Sequence, residues 1–235
     1  MNIILSGYGK MGKEIETIAI KRNHNIILKI NKSNCASVSD EDLKKADAII
    51  EFSTPHTVID NLKKYVNTQV PVVVGTTGWY ANFEEIKEFC LKKNGALFHA
   101  TNFSVGVNLF FKVNAYLAEL MNKYEGYDVS LEEIHHIHKL DKPSGTAITL
   151  AEQIIKKLDR KKSWSINEKN PDTLFINDIR EGEIPGTHII KYHSEIDDIE
   201  IMHKAHNRKG FALGAIIAAE FMLNKKGIYT MNDLI

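Results

Sequence analysis

Asn2-Ile3-Ile4-Leu5-Ser6-Gly7-Tyr8-Gly9-Lys10-Met11-Gly12 governs the reading of the whole chain. Residues 2–6 form a short apolar run that ends in Gly7-Tyr8-Gly9-Lys10-Met11-Gly12, spaced G-x-G-x-x-G. Met11, Ile15, Ile18 and Ala19 then recur at helical spacing over residues 11–21. Glycines so placed permit a tight turn and close backbone approach, and the helix start attracts a pyrophosphate. A glycine hexad alone also fits a plain turn, so its setting decides. Residues 26–30, 47–52, 70–74 and 96–99 read as further strands, with helices over 57–65 and 83–92. Continuous apolar strands separated by amphipathic helices predict a Rossmann-type α/β fold, a doubly wound parallel sheet covered on both faces.

The alternation stops near residue 103. Leu109, Val113, Tyr116, Leu117, Leu120, Met121 and Tyr124 mark one long helix, residues 129–136 a strand, and residues 144–158 a helix with Ser144 as its N-cap. Residues 187–193 and 199–203 read as strands of an antiparallel region, and residues 211–223 as a closing helix. Residues 164–178 are polar and turn-rich and are expected to be a surface excursion. The pattern predicts a second α+β domain carrying a mixed or antiparallel sheet.

Composition narrows the function. The 235 residues carry 30 basic and 30 acidic side chains, a formal net charge of zero, which argues against a nucleic-acid partner. No apolar run approaches the roughly 20 residues that span a bilayer, so no membrane partner is expected. The N-terminus has no basic region or signal-type apolar stretch and reads as mature protein. Cys35 and Cys90 are the only cysteines, neither a disulfide framework nor a zinc site, and cytoplasm is the expected compartment.

Three further signals carry chemistry. After the second strand, where an Asp or Glu would bind the ribose of NAD, stand Asn31 and Lys32. Lys32 can pair with a 2′-phosphate, which favours NADPH and leaves NADH possible; a solvated lysine is the plainer alternative. Gly75-Thr76-Thr77-Gly78 follows the fourth strand and Ala100-Thr101-Asn102-Phe103-Ser104 the fifth, both on the rim where open α/β sheets take ligands. The last signal is Glu132-Glu133-Ile134-His135-His136-Ile137-His138-Lys139-Leu140-Asp141-Lys142-Pro143-Ser144-Gly145-Thr146. If the strand persists, His135 and Lys139 share one face and His136 and His138 the other. A histidine beside a lysine can deliver protons, and helix-terminal N–H groups at Ser144-Gly145-Thr146 suit a carboxylate. A solvated edge strand is the bland alternative. His136 with His138, or His203 with His206, would be possible metal pairs, but none has H-E-x-x-H spacing and ammonium groups crowd the cluster, so no metal is expected.

Together these residues resemble the dihydrodipicolinate reductase family, also called 4-hydroxy-tetrahydrodipicolinate reductase. The resemblance is carried by His135-His136-x-His138-Lys139-x-Asp141-x-Pro143-Ser144-Gly145-Thr146, by Gly75-Thr76-Thr77-Gly78, by Asn102-Phe103-Ser104-Val105-Gly106-Val107-Asn108 and by Arg208-Lys209-Gly210-Phe211-Ala212-Leu213-Gly214-Ala215. It implies a dinucleotide-binding domain over residues 1–103 plus 209–235 and a substrate-binding and oligomerisation domain over 104–208. It implies reduction of a cyclic dicarboxylate with NADPH or NADH, in lysine and diaminopimelate biosynthesis, by a homotetramer. It makes His135 the proton donor and acceptor and Lys139 a proton donor, with His136, Gly145 and Thr146 on the substrate. Gly7, Tyr8, Gly9, Lys10, Met11, Gly12, Lys32, Gly75, Thr76, Thr77, Ala100, Thr101, Asn102 and Phe103 would hold the cofactor. Three positions depart from the family pattern: Ser6 replaces its first-turn glycine, Asn31-Lys32 its acidic-plus-arginine pair, and Ile137 a basic residue. Another Rossmann-type reductase, a dinucleotide-sensing regulator and a metal-dependent hydrolase are the competing readings; the first leaves the His-Lys-Pro-Ser-Gly-Thr stretch without a purpose, and the second predicts NADPH binding without turnover.

Overall fold

A computed structural model describes residues 1–235, which divide into two units, Met1–Val105 with Lys209–Ile235, and Gly106–Arg208. The first unit alternates β1 (Asn2–Ser6), α1 (Lys10–Lys21), β2 (Asn25–Ile30), a short α2 (Asp40–Leu43), β3 (Ala48–Glu51), α3 (Val58–Asn67), β4 (Val72–Val74), α4 (Phe83–Lys92) and β5 (Ala96–His99). All its strands run parallel in one six-stranded sheet. Ile3, Ile4 and Leu5, and every residue of β3 and β4, are buried, as strands covered on both faces must be. Ile15 and Ala19 of α1 pack into the core on one face with the closing helix, while Leu62, Tyr65 and Val66 of α3 and Ile86 and Cys90 of α4 fill the other. Helices α1 and α4 and the closing helix are followed by Asn23, Asn94 and Asn224 at positive φ, a conformation that Asn tolerates.

The second unit contains α5 (Val105–Met121), β6 (Asp128–His135), α6 (Gly145–Lys157), β7 (Ser163–Ser165), β8 (Thr173–Arg180), β9 (Thr187–His193) and β10 (Asp198–Lys204). Its mixed sheet has the order β10-β9-β6-β8-β7, antiparallel from β10 to β6 and parallel from β6 to β7. Val129, Leu131, Leu174, Ile176, Ile190 and Tyr192 cover one face with residues of α5 and α6. The chain then returns to the first unit as α7 (Lys209–Phe221), β11 (Gly227–Tyr229) beside β5, and α8 (Met231–Leu234).

Two sequence expectations are corrected, and the one long helix is borne out with its faces now resolved. Residues 164–178 are not a surface excursion: they supply part of β7 and most of β8, whose Leu174 and Ile176 are fully buried. Polar neighbours hid the alternation of Thr173-Leu174-Phe175-Ile176. The strand over 129–136 stops at His135, so His136–Lys139 do not alternate across a strand. On α5 the apolar stripe Leu109, Val113, Tyr116 and Leu120, with Tyr124 just beyond its end, faces outward, 46% to 65% exposed, while Phe110, Asn114, Ala118 and Met121 face the core. That helix is apolar on two faces, so periodicity alone did not choose between them.

Candidate active site

The parallel strands β1 to β5 bring the Gly7 turn, Asn31-Lys32, Phe52-Ser53, Gly75-Thr76 and residues 100–103 to one rim of the first sheet. Strand order reverses between β1 and β3, the place where such sheets take ligands. A cleft of about 350 Å³ lies there, with Gly7, Tyr8, Gly9, Asn31, Lys32 and Ser53 among its walls. A second of about 240 Å³ is lined by Met11, Phe52, Ser53, Pro55, Gly75, Thr76 and Thr77. Phe52 and Ser53 belong to both.

The three glycines of the turn have separate reasons. Gly7 has φ +91°, and a Cβ there would lie 2.0 Å from Phe52 O; at Gly12 one would lie 2.4 Å from Gly7 O. At Gly9 a Cβ would meet nothing within 4 Å, so the fold does not demand this glycine. Gly9 caps α1 without a side-chain hydrogen bond, leaving the first helical N–H groups open to an anion. Glu16 fixes the neighbouring Tyr8: it accepts from the Tyr8 hydroxyl and pairs with Lys29 at 2.6 Å, and Lys29 Nζ lies 4.7 Å from the Tyr8 ring centroid. These partners, Lys29 foremost, hold the Glu16 carboxyl below its ordinary pKa.

Other predicted residues are placed less directly. Asn31 Oδ1 accepts from the Ser33 N–H at 2.8 Å and its hydroxyl at 2.6 Å, so it shapes the loop, while Lys32 is exposed at the cleft wall. Lys10 and Gly12 line neither cleft, nor do Ala100, Thr101, Asn102 and Phe103. Phe103 sits in the core, 5.6 Å from Phe52 and 5.8 Å from Phe98 between ring centroids, and Asn102 Oδ1 accepts from Ser104 N–H at 2.9 Å. A ligand touching this stretch would meet Thr101 and backbone.

In the second unit, His135 closes β6, and a turn follows in which Lys139 N–H donates to His136 O at 3.1 Å. Glu133, two residues earlier on the same strand face, is fully buried. Its Oε1 accepts from Ser144 N–H at 2.7 Å and lies 3.3 Å from Arg180 Nη2. Its Oε2 is 3.3 Å from His135 Nδ1 and 3.5 Å from His188 Nε2. Burial opposes ionisation of Glu133, but His135, His188 and Ser144 outweigh it and hold the carboxyl far below the carboxylate range. Burial lowers the pKa of His188, against the pull of Glu133. His135 Nε2 points at Gly186, where a Cβ would stand only 2.9 Å away.

Ser144 caps α6, accepting from Ala147 N–H at 3.2 Å. Gly145 is exposed with nothing within 4 Å of its absent Cβ, so the first residue of α6 borders open space, and Thr146 beside it is half-buried. Lys139 Nζ is 2.9 Å from Asp141, whose carboxyl is held low by that lysine despite partial burial. His136 keeps a buried Nδ1 without a hydrogen-bond partner. His138 lies outward, 3.5 Å from the exposed Glu183.

The glycine turn is thus paired, elsewhere in the chain, with an ordered histidine-carboxylate set beside a lysine and an open helix start. The family described as dihydrodipicolinate reductase, N-terminus, matches residues 1–103, and its C-terminal counterpart matches residues 106–235. The chain belongs to the dihydrodipicolinate reductase family. A 4-hydroxy-tetrahydrodipicolinate reductase of Christiangramia forsetii is 45% identical over 100% of this chain and 98% of its own length. One from Neisseria meningitidis is 36% identical over 87% of this chain and 78% of its own length. A dipicolinate-bound dihydrodipicolinate reductase from a Paenisporosarcina species has the same fold, with a TM-score of 0.80 at 22% identity over 100% of this chain and 99% of its own.

Within this family member, sequence reading missed Glu133, Arg180, Gly186 and His188. Glu133 was readable from strand alternation. Arg180 lies opposite His135 on β8 and His188 opposite Glu133 on β9, pairings set by the sheet register, which the sequence alone did not supply. Glu133, His135 and His188 also form a compact trio of metal-type donors. Arg180 Nη2 lies 3.3 Å from the other oxygen of the same carboxylate, so Glu133 has one cationic neighbour besides the two imidazoles.

Proposed function

We propose that this protein reduces 4-hydroxy-tetrahydrodipicolinate to tetrahydrodipicolinate with NADPH, accepting NADH as a second coenzyme, in lysine and diaminopimelate biosynthesis. The observation that carries this is the 45% identity to a named reductase across the full chain, joined to a His135 held 3.3 Å from Glu133, whose other oxygen accepts from the N-cap residue of α6. The Gly7, Tyr8 and Gly9 turn, Lys32, and the Gly75, Thr76 and Thr77 turn would hold the dinucleotide, and the open space at Gly9 suits its pyrophosphate. Bound there, the reduced nicotinamide supplies the hydride. Lys32 favours the 2′-phosphate as an exposed cation.

The chain's own residues do the rest. The substrate has two carboxylates to neutralise. The N–H groups of Gly145 and Thr146, backed by the α6 dipole, take one, with His136 beside them. Loss of water from the hydroxy acid gives a conjugated imine; after hydride addition at ring carbon four the resulting enamine takes a proton on the neighbouring carbon. His135 delivers that proton. Glu133 at its Nδ1 fixes the ring and leaves Nε2 as the working atom, in the space kept open by Gly186. Lys139 is the second donor, its ammonium retained by Asp141.

The outward apolar stripe on α5, with Ile199 and Met202 on β10, supports a homotetramer in which these side chains are covered. No helix is long and apolar enough to cross a membrane, and both cysteines are free, which favours the cytoplasm as the site of action. The experiment is a coupled assay: pyruvate and aspartate semialdehyde condensed by the preceding synthase, then nicotinamide oxidation followed on adding this protein. Oxidation dependent on both precursors is expected, and its absence with folded protein overturns the reading.

A further inference from the structure

Glu51 ends β3 fully buried, and no lysine, arginine or histidine pairs with it. A carboxylate in that position costs free energy unless donors converge on it. Three do. Thr76 Oγ1 donates to Oε2 at 2.6 Å, the Ser53 hydroxyl donates to Oε1, and Asn61 Nδ2 donates to Oε1 at 3.3 Å. With Glu51 ionised the Thr76 hydroxyl is the donor, because a carboxylate can only accept, and the same Oγ1 accepts from Ser53 N–H at 2.8 Å. Asn61 also reaches Ser53 Oγ at 3.2 Å. Burial raises the pKa of Glu51 and these donors oppose the rise.

The partners are not scattered core groups. Ser53 and Asn61 line the larger cleft, Thr76 the smaller, and Ser53 stands in the wall common to both. One carboxylate therefore sets, from below, the side chains that shape both halves of the cleft pair.

We propose that Glu51 is a positioning residue for the coenzyme: its two acceptor oxygens hold Thr76 and Ser53 in the arrangement that receives a nicotinamide dinucleotide. This rests on the coenzyme reading of the clefts given above. Glutamine at position 51 keeps the shape but has one acceptor oxygen instead of two. With the amide oxygen toward Ser53 and Asn61, the amide N–H faces Thr76, whose hydroxyl loses its acceptor; turned the other way, the amide N–H opposes the Asn61 N–H.

The test is NADPH binding by fluorescence titration, with kcat and both KM values from the coupled assay and the Tm of each variant. For Glu51→Gln the dissociation constant and KM for NADPH rise about tenfold. The kcat at saturating coenzyme and the KM for the ring acid stay within about twofold. Thr76→Val, which removes the hydroxyl that Glu51 holds, gives a similar rise. The double variant rises no further than either single one, because both act through one hydrogen bond. If Glu51→Gln does not fold, Thr76→Val and Asn61→Ala, which keeps the carboxylate but removes one donor, still read the same network through NADPH affinity. A Tm loss in Glu51→Gln with unchanged NADPH affinity would make Glu51 a purely structural group and overturn the inference. Wild-type protein that binds neither NADPH nor NADH would overturn the coenzyme reading, and this inference with it.

Discussion

Alanine at position 186 would place a Cβ 2.9 Å from His135 Nε2, at a backbone φ of +154°. Ordinary contact begins near 3.4 Å, so the imidazole must withdraw by about half an ångström. It cannot withdraw freely, because Glu133 Oε2 stands 3.3 Å from Nδ1 and the His188 ring packs edge-on with centroids 5.2 Å apart. A misplacement of 1 Å in a reacting group can cost roughly a hundredfold, so half of that predicts a fall in kcat of about tenfold. The methyl group also blocks the approach to Nε2 itself. Backbone strain at that φ adds about 1–3 kcal/mol, a Tm loss of about 2–10 °C for a chain of this size. Steady-state nicotinamide oxidation measured well below Tm separates the two effects: kcat falls, the NADPH KM stays. In a His135→Gln background, Gly186→Ala should still lower Tm but change turnover by less than about twofold. Wild-type kcat in Gly186→Ala, or a full tenfold loss on top of His135→Gln, would show that His135 Nε2 is not the working atom.

His135→Gln alone should lower kcat by roughly a hundred- to ten-thousandfold with NADPH affinity nearly intact, measured by turnover and by titration; unchanged turnover in folded protein would refute the assignment. Lys32→Ala should reduce the preference for NADPH over NADH severalfold, most visibly at low salt, since an exposed lysine-phosphate pair is screened; an unchanged coenzyme ratio would place the 2′-phosphate elsewhere. Ser144→Ala removes the cap of α6, which costs about 1 kcal/mol, and should raise the KM of the ring acid more than that of NADPH. The pKa values of His188 and Glu133 are both lower in the fold than their ordinary 6.5 and 4.5, so the stability they supply is present above those values and is lost as pH falls. Chemical denaturation against pH should therefore show wild type losing its margin over Glu133→Gln as pH drops below about 4.5; a margin that grows instead would reverse the sign of this coupling.

The first sheet was legible because parallel strands buried on both faces leave little choice: Ile3-Ile4-Leu5, Ile49-Ile50 and Val72-Val73-Val74 are apolar without interruption. The second sheet was less so. Its strands are covered on one face, and β8 alternates buried Leu174 and Ile176 with Phe175 and Asn177, a weaker signal beside the turn residues that precede it. The site followed the same division. His135, Lys139, Ser144 and Gly145 lie in one continuous stretch and were read from it. Arg180 and His188 reach the site through strand pairing with β6, and Gly186 stands just before β9, an arrangement no local pattern encodes. Asn31 and Phe103 show how side chains on the rim are also used by the fold: hydrogen bonding ties Asn31 to its loop, and the Phe103 ring packs in the core.

The most direct measurement is the coupled assay on the wild-type protein, with NADPH oxidation followed after the synthase has condensed pyruvate and aspartate semialdehyde. Oxidation that requires both precursors, the synthase and this protein is the predicted result. A folded protein that binds NADPH yet leaves it unoxidised when the ring acid is present would contradict a reductase built on His135 and Lys139.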